Sequence, residues 1–215
     1  MVGYVLVVMF YSLLVIKGGM DKIDQWVYES VVGQMHPLFE KVFIAITFLA
    51  DTKMLAVFSV VTVIALWMRK NYKWIIFYIF MMSSGVFLTL LLKLTIQRDR
   101  PGGEVDYVEF WGIGGELISY SYPSGHAVKS LLLFGFWFFY LNRKQSENLF
   151  NRITSIYLIT CPILIGIGQV LLTRHYLSDV IGGFLIGISL LVLSRKLFEQ
   201  KLMKYSLKLQ PVRRG

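Results

Sequence analysis

Long apolar runs broken by short polar clusters dominate this chain. Val2 to Ile16, Met54 to Met68, Trp74 to Ile96, Ala127 to Leu141, Ile153 to Leu172 and Val180 to Leu197 are apolar nearly all round. A helix with no polar face is buried in protein or in lipid, and about 20 residues cross a bilayer. The pattern predicts an all-α, polytopic membrane protein with six transmembrane helices in one bundle. Val2 begins its run with no basic leader and no small-residue cleavage site, so the first helix is expected to be retained. Lys17 to Lys53 carries Asp21, Asp24, Trp26, Tyr28, His36 and Pro37 and reads as an interfacial helix and turn between spans one and two. Within it, Val42 to Ala50 extends the second span outward and leaves Asp51 and Lys53 near water. No repeat or linker divides the chain, so residues 1–215 are read as a single domain.

Composition strengthens the membrane reading. The 215 residues are 56% hydrophobic, with a mean hydropathy of +0.61. The formal charge of +9 is no nucleic-acid footprint, because the basic residues sit between apolar runs rather than across a polar surface. Their placement reports orientation instead, since short cytoplasmic loops retain Lys and Arg. Arg69, Lys70 and Lys73 follow span two, and Arg143, Lys144 and Arg152 follow span four. Arg195, Lys196, Lys201, Lys204, Lys208, Arg213 and Arg214 lie in the tail, residues 195–215. Together these are more than half of the 22 basic residues. Both termini are therefore expected in the cytoplasm, with Asp21, Asp24, Glu104, Asp106, Glu109 and Glu116 outside. The tail alternates Lys with Leu197, Phe198, Leu202, Met203, Leu207 and Leu209. It reads either as an amphipathic segment on anionic lipid or as a solvated stop-transfer tail. The single cysteine, Cys161, lies in an apolar run and allows no intramolecular disulfide.

Ionisable groups at the ends of apolar spans are costly and mark function. Three clusters qualify: Lys93 with Gln97, Arg98, Asp99, Arg100 and Pro101; Pro123-Ser124-Gly125-His126; and His175, Ser178 and Asp179. The predicted topology puts all three on one side. Lys93 and Arg100 are cationic donors, and arginine grips two phosphate oxygens at once. Ser124 suits a helix N-cap, and the Gly125 and His126 amides then open a helix whose positive end favours an anion. His126 and His175 can divide acid and nucleophile roles, with Asp179 four residues on to fix the imidazole tautomer. Arg98 and Asp99 read as a local pair at the loop surface. Tyr107, Phe110, Trp111, Tyr120 and Tyr122 read as aromatic surface on a pliable loop containing Gly102, Gly103, Gly112, Gly114 and Gly115, either a headgroup entrance or an interfacial belt. Gly183 and Gly187 read as a helix-packing face.

These residues resemble the type-2 phosphatidic acid phosphatase superfamily. Lys93 to Pro101 is similar to its KxxxxxxRP signature and Pro123 to His126 to its PSGH signature. The third signature, SRxxxxxHxxxD, is met at His175 and Asp179, whereas Gly168 and Gln169 stand where the family has Ser and Arg. The motif core spans about residues 93–187. The resemblance implies hydrolysis of a lipid phosphomonoester or pyrophosphate without metal or other cofactor, on substrates such as phosphatidylglycerol phosphate, phosphatidic acid or undecaprenyl pyrophosphate. In that scheme His175 attacks phosphorus and forms a phosphohistidine, Asp179 orients it, and His126 protonates the leaving oxygen. Lys93, Arg100, Ser124 and the Gly125 amide hold the phosphoryl oxygens. With arginine replaced by Gln169, Lys129 or Arg174 is expected to supply the missing charge, Lys129 being preferred because an intramembrane lysine needs an anionic partner. A lipid-phosphate-binding or transport protein on the same fold is the competing reading.

Overall fold

Each apolar run becomes a helix, and the polar residues between runs supply the caps. The computed structural model describes residues 2–103, 107–108, 117–143 and 148–208. Glu104, Asp106, Glu109, Phe110, Trp111, Gly112, Gly114, Gly115, Glu116, Lys144, Glu147, Leu209, Arg213 and Arg214 lie outside the described residues. Helix α1 (Val2–Ile16) ends at Gly18, whose φ of 73° suits a residue without Cβ. Helix α2 (Asp21–Val31) follows at 73° to α1, with Asp21 and Asp24 in its first turn, where the helix dipole favours acids. Helix α3 (Pro37–Phe48) starts with proline at its first position and His36 as N-cap, Nδ1 accepting from the Leu38 amide at 3.2 Å. After a 44° bend it passes to α4 (Thr52–Met68), capped by Asp51. The stretch from Lys17 to Lys53 thus holds two helices, not the one expected, and α3 meets α4 through a bend.

The remaining helices are α5 (Tyr72–Ile96), α6 (Gly125–Asn142), α7 (Leu149–Leu171) and α8 (Leu177–Lys208). Helix α8 runs straight on from the last apolar run into the basic tail. Strands β1 (Tyr107–Val108) and β2 (Leu117–Ile118) pair antiparallel, Tyr107 opposite Ile118. This short ladder is the single departure from an all-helical fold among the described residues.

Helix α6 is the centre of the bundle and packs on α4, α5, α7 and α8. Close helix approach depends on glycine at α8. A Cβ on Gly183 would lie 2.8 Å from the Ser124 carbonyl oxygen and 2.9 Å from the Ala127 Cβ, and one on Gly187 2.6 Å from Leu131. At one end of the bundle Trp74, Phe77, Phe136, Tyr140 and Phe198 form an aromatic cluster from α5, α6 and α8. Asn71 donates to the Tyr140 hydroxyl at 2.6 Å, and Arg143 covers the Tyr140 ring at 3.8 Å. The α4–α5 turn, the end of α6 and the far part of α8 therefore share that end. The three chemical clusters share the other.

The outer faces are oily. Ile76, Phe80 and Phe87 of α5 and Val57, Val60 and Ile64 of α4 are exposed, as suits side chains meeting acyl chains rather than water. Among the described residues three helices are long and apolar enough to cross a membrane: α5, α7 and Leu177–Glu199 of α8. Counting each bent pair, α1 with α2 and α3 with α4, as one span raises this to five. Helix α6 is outside that set because its first turns carry His126 and Lys129 and its last residue is Asn142. Surrounded by protein on most sides, it has little need of a continuous apolar surface.

Candidate active site

The site forms where α5 and α7 end and α6 and α8 begin. Gln97 closes α5 in the left-handed conformation (φ 50°), its amide bonding the Lys93 carbonyl, and this turn redirects Arg98 to Arg100 across the bundle end. The Ser121 amide bonds the Arg98 carbonyl at 2.8 Å, which ties the first cluster to the approach to the second. Ser124 then caps α6, its Oγ accepting from the Ala127 amide at 3.4 Å, while its own amide donates to the Asp179 carbonyl at 3.0 Å. The amides of Arg174 and His175 both donate to the Gln169 carbonyl, at 3.0 and 3.2 Å, closing the end of α7 over the site. Backbone bonds alone thus join all three clusters.

Side chains converge on the same place. The His126 and His175 rings lie 6.5 Å apart, centroid to centroid, and 62° from coplanar. Lys93 Nζ donates to the Tyr120 carbonyl and, at 3.4 Å, to Ser119 Oγ. Arg100 donates through Nε to the Ser119 carbonyl at 2.9 Å, through one terminal nitrogen to Ser119 Oγ at 3.0 Å, and through the other to the Arg174 carbonyl at 3.2 Å. Ser119 thereby holds two cations side by side. Gly125 sits beside Thr89 Cγ2 and Lys129 Cε, and Thr89 lies one turn before Lys93 on α5. Lys129 points its ammonium at Thr52 Oγ1, 2.8 Å away, beside the Asp51 cap of α4. Arg174 is exposed.

His175 is buried, and its Nδ1 faces Asp179 Oδ2 at 3.7 Å, longer than a hydrogen bond. Ser121 Oγ reaches both groups, 3.4 Å from Nδ1 and 2.5 Å from Oδ2. Burial pulls the His175 pKa down to about 4; Lys93 and Arg100 act in the same direction and the neighbouring Asp179 against it. The imidazole is therefore neutral at ordinary pH, with Nε2 as the nitrogen not turned toward Asp179.

Several placements differ from the sequence reading. Arg98 is not a surface partner of Asp99. It turns inward to Asp179 and to Asp24 of α2, at 2.8 Å each. Burial opposes its charge, but Asp179 and Asp24 more than offset this and raise its pKa. Asp24, expected in an outward polar segment, is 1% exposed. Tyr122 is no part of an aromatic surface. It is fully buried, with its hydroxyl 2.8 Å from Ser12 Oγ of α1. An open recess of about 730 Å³ beside Arg98 is lined by Asp21, Asp24, Glu29 and Asp99 among others, a poor approach for an anionic headgroup.

The two departures in the third signature have different surroundings. A Cβ at Gly168 would fall 2.6 Å from Thr47 Cγ2 and 3.2 Å from Phe43, so α3 occupies the space a serine would need. Gln169 is fully buried, and its side-chain nitrogen and oxygen have no hydrogen-bond partner among the described residues.

Known proteins share this chain's sequence pattern and fold. The family model described as PAP2 superfamily matches residues 74–203. Phosphatidylglycerophosphatase B of Bacillus subtilis (strain 168) is 25% identical over 185 residues, covering 85% of this chain and 86% of the relative. The crystal structure of a transmembrane PAP2-type phosphatidylglycerolphosphate phosphatase from Bacillus subtilis superposes with a TM-score of 0.75 at 20% identity, over 99% of this chain and 98% of that one. Aquifex aeolicus LpxE superposes with a TM-score of 0.56 at 19% identity, over 80% and 94%. The fold is thus shared along nearly the whole chain, and with the family model covering well over half of it, this membrane protein belongs to the PAP2 superfamily.

Proposed function

We propose that the chain is a membrane lipid phosphatase that hydrolyses a phosphomonoester or pyrophosphate through a phosphohistidine. The observation that carries this reading is the pair of imidazoles 6.5 Å apart beside Lys93 and Arg100, with a buried carboxylate behind one ring only. His175 Nε2 attacks phosphorus, its Nδ1–H directed to Asp179. The P–O bond to the lipid breaks, and His126 gives its proton to the departing oxygen. Lys93, Arg100 and the amides at the start of α6, positioned by Ser124 and Gly125, take the charge on the phosphoryl oxygens. Water, deprotonated by His126, then cleaves the P–N bond and frees phosphate. No step calls for a metal or cofactor.

The relative's name points to phosphatidylglycerol phosphate as a first substrate, with phosphatidic acid and undecaprenyl pyrophosphate as the other lipids to compare. Phosphate release by detergent-solubilised protein, measured on these three lipids with a chelator present, tests the reading. Release from at least one, insensitive to the chelator, is expected; none from any would leave the lipid-phosphate-binding alternative.

Six spans, α1, α4, α5, α6, α7 and α8, in one domain of 1–215 is the arrangement we favour. It is supported by the alternation of the bundle ends: Arg69, Lys70, Arg143 and Arg195 belong to the aromatic end, opposite the histidines. By the positive-inside rule that end, both termini and the basic tail face the cytoplasm and anionic lipid, and the site faces outward.

For the position of Gln169, Lys129 or Arg174 supplies the compensating charge. Losing a donor to developing charge costs ~2.7–4 kcal/mol, or about 10²–10³-fold in rate. Lys129→Met or Arg174→Ala should show a loss of that size in kcat. Retention of full activity by both variants would end the compensation idea. Gln169→Arg should restore part of what the sensitive variant loses.

A further inference from the structure

Arg98 lies between two buried carboxylates that come from distant parts of the chain. One guanidinium nitrogen donates to Asp179 Oδ1 at 2.8 Å and Ser178 Oγ at 2.6 Å, and the other to Asp24 Oδ2 at 2.8 Å. Its guanidinium carbon lies 4.6 Å from the centre of the Tyr176 ring. Asp24 is itself fixed to the start of α8: Oδ1 accepts the Ser178 amide at 2.9 Å and Oδ2 the Ser178 hydroxyl at 2.5 Å. Asp179 spends its second oxygen on Ser121 Oγ and on the Tyr176 amide at 2.9 Å. The side chains of Asp24 and Asp179 are 1% and 0% exposed and that of Arg98 16%.

Two buried anions share one cation, so the cluster keeps one negative charge. Unbalanced buried charge is costly, and the group best placed to balance it is the imidazole of His175 when it becomes cationic. This happens as Nε2 bonds to phosphorus. Were Arg98 to serve Asp179 alone, that pull on the imidazole would be largely cancelled.

We propose that Asp24 and Arg98 are positioning residues that act on His175 through Asp179: Arg98 holds the carboxylate in place, and Asp24 draws off enough of the guanidinium charge to leave Asp179 effective. The cluster makes α2, a helix outside the three signatures, part of the catalytic apparatus. It rests on the reading of His175 as nucleophile.

Other groups facing His175 and Asp179 must be held constant in any test. They are Lys93 of α5, Arg100 on the loop after it, His126 of α6, Tyr11 of α1, and Tyr122 and Tyr176 on the connecting loops, with Asp21 of α2 facing Arg98. Asp24→Asn keeps the shape and the acceptor for the Ser178 amide but hands Arg98 wholly to Asp179. Its kcat should fall about 10- to 100-fold, the scale on which losing the outer partner of a metal-bound histidine acts, with KM unchanged and the acid limb of the profile moved to lower pH. Asp24→Asn/Arg98→Gln leaves Asp179 facing His175 without a competing cation, so the limb should move up from wild type. The double variant should also be more active than Arg98→Gln alone, which strands two carboxylates together; this comparison remains if one variant folds poorly. Glu29→Gln is the control: Glu29 is exposed on the same helix, accepts from Gln25 at 2.8 Å, and its variant should behave as wild type.

Because the chain has 3 histidines, the His175 imidazole can be followed by NMR independently of turnover. Opposite shifts of its titration in the two variants support the relay even if no lipid is hydrolysed, in which case the phosphatase reading alone fails. An active wild type whose His175 titration and acid limb are unmoved by either variant, or losses that appear in KM, would overturn the relay.

Discussion

His175→Ala is expected to reduce phosphate release on the order of 10⁴- to 10⁶-fold, the scale seen when a covalent nucleophile is removed from a catalytic unit. The side chain is nearly fully buried and its ring faces that of His126 across 6.5 Å, so no neighbour can take its place at phosphorus. A cavity left by alanine also destabilises, by a few kcal/mol at most, and thermal melting separates that from the chemical loss. Acid quenching would destroy a phosphohistidine, so the intermediate is sought under alkaline denaturing conditions after brief exposure to labelled substrate. Wild type should retain label and the variant none. In the wild type the acid limb of kcat/KM should fall near pH 4 and not near 6.5, because burial first, then Lys93 and Arg100, lower the His175 pKa. Below that pH the ring is protonated and cannot attack, and raising the pH restores it. A limb set near 6.5 with label on another residue would assign the attack elsewhere.

The same geometry explains which parts of the molecule could be read from the chain. Helices α1 and α4 to α7 coincide closely with apolar runs because lipid-facing and buried residues are both apolar, leaving charged residues near the ends. Local order also marked the candidates His126, His175, Asp179, Lys93 and Arg100, each near the close or opening of a run, and the fold brings them to one end of the bundle. Arg98 was misread because its neighbour Asp99 offers a nearer partner in sequence; the left-handed turn at Gln97 is what sends it inward. Asp24 did carry a signal. Met20, Asp24, Val27, Tyr28 and Val31 form one stripe of α2, so the carboxylate sits on the helix's inner, mostly apolar face. A lone acid there calls for a buried cation. Gly168 had no comparable signal, because only the long-range packing of α3 on α7 brings Thr47 against it. Tyr122 was likewise hidden, since its partner Ser12 lies 110 residues away.

His126→Ala is the second large effect, about 10²–10⁴-fold, as for loss of a general acid, and its size should depend on the lipid. A phosphomonoester such as phosphatidylglycerol phosphate expels an alkoxide, which needs a proton as the P–O bond breaks. A lipid pyrophosphate expels a phosphate, a far weaker base that can leave unprotonated. The ratio of wild-type to His126→Ala kcat/KM, which reports only the steps up to P–O cleavage, should therefore be largest for alkyl phosphomonoesters and smaller for undecaprenyl pyrophosphate and for an activated aryl phosphate. Loss of Lys93 or Arg100 has no such dependence, because those groups bind oxygens that stay on phosphorus. The second half of the reaction gives an independent check. Water must lose a proton to attack the phosphohistidine, and with His126 absent that step slows whatever the leaving group was. On an aryl phosphate the variant should release the phenol in a burst of one equivalent and then stall with label on His175. An equal loss on all three substrate types, with no burst, would remove the proton-transfer role from His126 and leave it as a wall of the phosphate site.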